Sequence, residues 1–148
     1  MNAPAPFLRP SRLEQLFNFI FGILVGWGLG LSHNYLLQVK GRKTGSLYST
    51  PVNVLDYKGK RFLVAGRGET QWVRNARVSN EIWLKRGKSR QRFALRPLSD
   101  EEKPEILSEY LTRYKTTVQR YFPVPAGAAL ESFRAITPRY PVFELLPY

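Results

Sequence analysis

Apolar side chains crowd the first quarter of the chain and then settle into two different rhythms. From Gln15 to Val39 no residue carries a formal charge, and Leu16 to Leu31 is almost continuously apolar. Leu13, Leu16, Phe17, Ile20, Leu24 and Trp27 recur at helical spacing, while Phe19, Phe21, Ile23 and Val25 cover the opposite side, so both faces demand burial. A membrane span needs about 20 predominantly apolar residues. This stretch is interrupted by Asn18 and by Gly22, Gly26, Gly28 and Gly30, and falls short. Two placements stay open: a helix lying on a membrane surface, or a helix buried in the fold or in a dimer contact. A cleaved signal peptide lacks a small-residue A-x-A site. Residues 1–34 are read as an N-terminal apolar helix, with peripheral membrane contact assigned to residues 12–31, and residues 35–148 as the folded domain.

Beyond the glycine-rich break the period drops to two, the mark of strands. Strands are predicted over Tyr35 to Lys40, Leu47 to Leu55, Arg61 to Ala65, Glu81 to Lys85 and Gln91 to Arg96. Turns at 41–45, 57–59 and 86–87 join neighbours into hairpins, and Pro51 marks an edge or a bulge. A short helix over Thr70 to Ala76 follows the break at Gly66 to Gly68. Leu107, Tyr110, Leu111, Tyr114, Val118 and Tyr121 then share one face of a second helix, beginning near Ser99 in a capping box with Glu102 unless Pro104 moves the start later. A proline-punctuated, loop-rich tail ends in a final strand over Pro141 to Leu146. Short strands, tight hairpins and a returning C-terminal strand describe a mainly β, α+β fold, a small antiparallel barrel with helices packed on it.

The length of 148 residues suits one domain. With no cysteine and a single histidine, His33, the sequence excludes disulfides and thiolate chemistry and offers no metal site. This suits a reducing compartment, and a cytoplasmic setting is the expectation, at the inner face of the membrane if residues 12–31 touch lipid. The 23 Lys and Arg against 11 Asp and Glu leave a net charge of +12, a field that attracts nucleic acid, acidic lipid or a phosphorylated cofactor.

Between Gly41 and Gly45, Arg42, Lys43 and Thr44 bring cations and a hydroxyl to a turn that suits a phosphate as well as it suits solvent. Gly66, Arg67 and Gly68 form a second cationic turn. Arg86, Lys88, Arg90 and Arg92 alternate along a hairpin as an exposed basic face. Basic residues interleaved with aromatics on a small barrel also bind single-stranded nucleic acid, which stands as a competing, less favoured partner. Trp72 and Asn75, on the short helix, suit the floor and edge of a heterocycle. Tyr110, Tyr114 and Tyr121 have the spacing of helix packing and the chemistry of proton donors.

Taken together, "LLQVKGRKTGSLYSTPVNVLDYKGKRFLVAGRG", "WVRNARVSN" and "RYPVFELLP" resemble the deazaflavin-dependent nitroreductase family, within the flavin-binding split β-barrel superfamily. The likeness covers roughly residues 35–98 and, more weakly, the last ten. Its distinctive element is G-R-K-[ST]-G followed by T-P, here Gly41 to Gly45 and Thr50 with Pro51. The resemblance implies coenzyme F420, whose acidic tail would meet Arg42, Lys43, Thr44 and Gly45. Pro51, Val52 and Asn53 would lie beside the deazaflavin, Ala65, Gly66 and Arg67 would form a second phosphate-contacting turn, and Trp72 and Asn75 would match the W-x-x-N helix. It also implies hydride transfer to a lipophilic electron-poor acceptor such as a quinone, an enone or a nitroaromatic compound, with Tyr121 or Tyr114 as proton donor. Gly66 stands where the family usually has Ser, which bears on the substrate pocket. FMN is the alternative cofactor, and a basic membrane- or nucleic-acid-binding module without catalysis, or a homodimer contact, are the alternative uses of the surface.

Overall fold

The computed structural model describes residues 34–148. The N-terminal apolar helix assigned to residues 12–31, and His33, lie outside the described residues. Six strands form: β1 (Asn34–Lys40), β2 (Leu47–Tyr57), β3 (Lys60–Val64), β4 (Glu81–Arg86), β5 (Ser89–Pro97) and β6 (Val142–Pro147). They close a barrel in the order β1-β2-β3-β6-β5-β4, with each neighbouring pair antiparallel. All six fall where the sequence places them, within two residues at their ends.

One strand serves two partners in succession. β2 pairs with β1 from Leu47 to Asn53, and its pairing with β3 begins only at Val54. Its first half is therefore bonded along one edge alone, and this is where the barrel is split. Pro51 sits in this half, opposite Leu36, as a residue without an N–H requires.

Alternation along the strands separates two cores. Leu37 and Val39, Ile82 and Leu84, Phe93 and Leu95, and Phe143 and Leu145 point into the barrel. Helix α1 (Gln71–Ser79) adds Val73 and Ala76 to that interior, at a barrel end. The second core lies outside: Leu55, Phe62, Val64 and Val142 face Ile106, Leu107 and Leu111 of helix α2 (Lys103–Arg113). Phe122 stacks on Tyr140 at 4.5 Å between ring centroids, and Phe133 seals the far end with no solvent exposure.

The second helix departs from the sequence pattern at both ends. It starts at Lys103, with Pro104 in its first turn, and not at a capping box on Ser99. The Ser99 carbonyl accepts the Glu102 N–H at 3.0 Å, whereas the Glu102 carboxylate pairs with Arg96, so neither side chain is spent on a cap. The helix also breaks at Tyr114, whose φ of −114° and ψ of 28° are not helical. The chain resumes as α3 (Lys115–Val118) and a 3₁₀ turn (Gln119–Tyr121), and Tyr114 and Val118 stay buried on the predicted face. Two β-branched threonines, Thr116 and Thr117, weaken helical continuation there. Helix α4 (Leu130–Arg134), read as loop from the sequence, is too short to show a period.

Candidate functional site

A cleft of about 660 Å³ opens at the split of the barrel. Its walls are the singly bonded half of β2, the turn after β1, the loop after β3, the start of α1, and Tyr110, Thr117, Val118 and Tyr121 from the outer helices. Both basic turns reach it: Arg42, Lys43 and Thr44 line it from one side and Arg67 from another.

The first turn is fixed by its backbone. Gly41 N–H donates to the Ser46 carbonyl at 2.7 Å, Gly45 N–H to the Gly41 carbonyl at 2.9 Å, and Ser46 N–H to Thr44 Oγ1 at 3.2 Å. A Cβ on Gly41 would stand 2.5 Å from a ring carbon of Tyr48, so only glycine lets that ring approach, and Gly45 adopts φ +76°. Arg42 ties the turn to α1. Its backbone N–H donates to Asn75 Oδ1 at 3.0 Å, and its Nη1 donates to the same oxygen at 2.8 Å and to Gln71 Oε1 at 3.0 Å. The Arg42 N–H is thus satisfied within the protein, and the Asn75 carbonyl is engaged by Arg42.

The second turn is equally defined. Ala65 N–H donates to the Pro141 carbonyl at 2.9 Å, and Gly68 N–H to the Ala65 carbonyl at 3.0 Å. Thr70, the N-cap of α1, makes no side-chain capping bond, and Thr70, Gln71 and Trp72 all line the cleft. The positive end of the α1 dipole therefore adds to the charge of Arg42, Lys43 and Arg67. This combination suits an anionic group, and the apolar stretch formed by Val39, Val52, Val64, Ala65 and Trp72 suits a planar apolar ring.

Three tyrosines distinguish themselves by position. Tyr110 is 5% exposed, lines the cleft, and has its hydroxyl pushed up well beyond the ordinary tyrosine range by burial, against a smaller opposing hydrogen bond from Asn53. Tyr121 also lines the cleft, and its oxygen accepts from Arg120 Nη2 at 2.6 Å. Tyr114 stands outside the cleft: its hydroxyl donates to the Val54 carbonyl at 2.8 Å in a buried contact, and burial pushes its titration up. Gly66 faces the aromatic wall, where a Cβ would meet Tyr121 at 3.9 Å and Phe122 and Tyr110 at 4.0 Å, ordinary van der Waals distances.

Of the residues singled out in the sequence, Arg42, Lys43, Thr44, Pro51, Val52, Asn53, Ala65, Gly66, Arg67, Trp72, Asn75 and Tyr121 come together here, while Gly45 and Tyr114 do not line the cleft. Tyr48, Ser49, Thr50, Thr70 and Gln71 belong to it as well. The sequence signal for the first three was the Pro51 edge mark, which leaves one side of the strand open to a ligand.

Comparison with known proteins accords with this arrangement. A protein of Agrobacterium tumefaciens described as of unknown function superposes with a TM-score of 0.57 at 19% identity, over 97% of this chain and 59% of its own. The chain thus spans less than two thirds of that protein's length. A structure described as an F420-H2 dependent reductase gives 0.52 at 18% identity, over 77% and 94% of the two chains. A chain described as a domain-swapped dimer gives 0.54 at 18% identity, over 91% and 99%. At these identities the likeness establishes the split-barrel fold. No curated protein matches the sequence. The family described as F420H(2)-dependent quinone reductase, however, matches residues 21–124, most of the barrel and the cleft included, and the chain belongs to that family of F420-dependent oxidoreductases.

Proposed function

We propose that the cleft orients reduced coenzyme F420 for hydride transfer to a lipophilic, electron-poor acceptor, a quinone first among enones and nitroaromatic compounds. The observation that carries this reading is the convergence of Arg42, Lys43 and Arg67 on one cleft that apolar and aromatic side chains also line. When bound, the coenzyme supplies a hydride from its deazaflavin ring. Arg42 and Lys43 hold the acidic tail, Arg67 and the start of α1 hold its phosphodiester, and Pro51 to Asn53 form the shelf for the ring.

The remaining work is orientation, water exclusion and one proton. A quinone that gains a hydride needs a proton to become the hydroquinone. Tyr121 is the proposed donor: its oxygen accepts from Arg120, which leaves the phenolic O–H available to an acceptor in the cleft. Apolar walls from Val39, Val52 and Val64 exclude water and favour lipophilic acceptors. Residues 12–31, largely apolar and without a formal charge from Gln15 onward, would bring the cleft to where such acceptors dissolve. Among the described residues no helix is long and apolar enough to cross a membrane. Self-association is a further part of the proposal, supported by a fold neighbour described as a domain-swapped dimer and readable by sedimentation.

Titration of the full chain with oxidised coenzyme F420 and with FMN, followed by fluorescence, is the first test. Anaerobic turnover of the reduced coenzyme with a menaquinone analogue, an enone and a nitroaromatic compound is the second. Binding of F420 over FMN with fastest turnover on the quinone is the expected outcome. Binding of FMN alone, or F420 binding without turnover of any acceptor, would sink the proposal.

A further inference from the structure

The helices α2 and α4 pack over β2, β3 and β6. That leaves the outward faces of β1, β4 and β5 without a covering helix among the described residues. Register assigns their neighbours: Trp83 lies opposite Gln38 on one side and Arg92 on the other, and Lys85 opposite Leu36 and Arg90. Lys40 Nζ sits 5.9 Å and the Arg90 guanidinium 4.7 Å from the centre of the Trp83 ring. At the end of the same face Leu47, opposite Lys40, is 47% exposed.

The charges here are not balanced internally. Glu81, the carboxylate on β4, is taken by Arg92 and by the Tyr148 hydroxyl. Lys85 and Arg90 face each other directly across β4 and β5, an arrangement that destabilises a sheet unless an anion lies between or above them. Ion pairs among the described residues reach neither of the two. Arg90 Nε donates instead to Gln38 Oε1 at 2.8 Å, which holds the guanidinium over the face.

We propose that this face docks on an anionic phospholipid bilayer. Lys40, Lys85 and Arg90 meet headgroup phosphates, while Trp83 and Leu47 settle at the headgroup boundary, where an indole and an exposed aliphatic chain are favoured. The surface does not suit a second copy of itself, because two-fold pairing sets the same unbalanced cations against one another. Nor does it offer a run of open aromatic faces for stacking bases, since the Trp83 ring is already engaged by Lys40 and Arg90. Lys40 lies between Val39 and Gly41, both of which line the cleft, so docking holds the cleft's mouth beside the headgroups. The inference concerns the barrel itself and stands whether or not a quinone is the acceptor.

The test is co-sedimentation of the full chain, without coenzyme, on vesicles of phosphatidylcholine alone or with about one third phosphatidylglycerol, at low and high salt. The variant is Lys85→Gln with Arg90→Gln, which removes like charges from opposing strands and leaves the fold intact, as a melting temperature at or above the parent's will report. Binding is expected to be tighter to the anionic vesicles than to the neutral ones, and that difference is expected to vanish at high salt. The double variant is expected to bind roughly thirty-fold more weakly, about five-fold for each cation lost. Its turnover of a water-soluble acceptor stays at the parent level. A control pair, Lys60→Gln with Arg139→Gln, lowers net charge equally elsewhere. Equal losses for both pairs, parent-level binding by Lys85→Gln with Arg90→Gln, or tighter binding to a single-stranded oligonucleotide than to vesicles would each overturn the proposal.

Discussion

Asn75 Oδ1 accepts two hydrogen bonds from Arg42, one from the backbone N–H at 3.0 Å and one from the guanidinium at 2.8 Å. One carbonyl oxygen, on a residue only 5% exposed, thereby fixes both the path of the basic turn and the direction of its arginine. Asn75 is thus a positioning residue for Arg42. Asn75→Leu should weaken F420 binding about 10- to 100-fold, the worth of a hydrogen bond to a charged group. Asn75→Asp keeps an acceptor at that site and should hold the turn's shape, but its carboxylate offsets the Arg42 charge, so it should bind the acidic coenzyme more weakly than the parent. A fluorescence titration that finds the Leu variant binding at the parent Kd would show that the turn holds its shape without Asn75.

Arg42 and Lys43 carry the charge that this contact orients. Replacing both by Ala should reduce coenzyme affinity by at least two orders of magnitude, given two charge-assisted contacts of roughly 1.5–3 kcal/mol each. The fold should survive, because both side chains lie at the barrel's rim and contribute nothing to either core. Calorimetric titration and far-UV circular dichroism on the same sample separate the two effects.

Gly66 tests the shape of the acceptor side. A Cβ there reaches Tyr121, Phe122 and Tyr110 at 3.9 to 4.0 Å, so Gly66→Ser should fold normally and fill space against the aromatic wall. The expected result is a several-fold rise in KM for bulky quinones with F420 affinity unchanged. Equal effects on small and bulky acceptors would remove Gly66 from the selection of substrate.

The barrel was legible because its strands alternate. Leu37 and Val39, or Phe93 and Leu95, announce an inward face wherever one side of a strand is buried. The two basic turns were legible as compositions, Gly41 to Gly45 and Gly66 to Gly68, but their convergence depends on β1 and β3 both flanking β2, a long-range pairing no local pattern encodes. The roles of the tyrosines were hidden for a related reason. Tyr110, Tyr114 and Tyr121 share one predicted helical face, but the helix ends at Tyr114: Tyr110 before the break and Tyr121 after it line the cleft, while the Tyr114 hydroxyl reaches the backbone of β2. Helix α4 left no signal, since five residues complete little more than one turn.

Tyr114 and Tyr121 should accordingly separate under mutation. Tyr114→Phe removes a buried donor and leaves the Val54 carbonyl without it, at a cost of about 1–3 kcal/mol in stability. Its kcat should change less than two-fold. Tyr121→Phe should do the reverse, keeping the melting temperature and lowering kcat about 10²-fold or more if its proton is the one transferred. Loss of turnover in Tyr114→Phe at unchanged stability would exchange the two roles.

Stability at alkaline pH should follow the buried tyrosines. Burial raises the titration of Tyr110, Tyr114 and Tyr140 above the ordinary value of 10.0. For a group that holds its proton more tightly when folded, the stabilisation is complete below the unfolded value and is lost as pH climbs from there through the folded one. Between pH 10.0 and the raised values the unfolded chain has released protons that the native one still binds, so the free energy of unfolding falls with pH. Melting temperature should therefore drop steeply above pH 10.0, with a flatter response in this respect just below it. Tyr110→Phe deletes the group most shifted by burial and should make the decline shallower, even though the variant starts from a lower or equal stability at neutral pH. Thermal melts across the alkaline range read this directly, and parallel slopes for parent and variant would mean that the Tyr110 hydroxyl ionises as readily in the folded protein as in the unfolded chain.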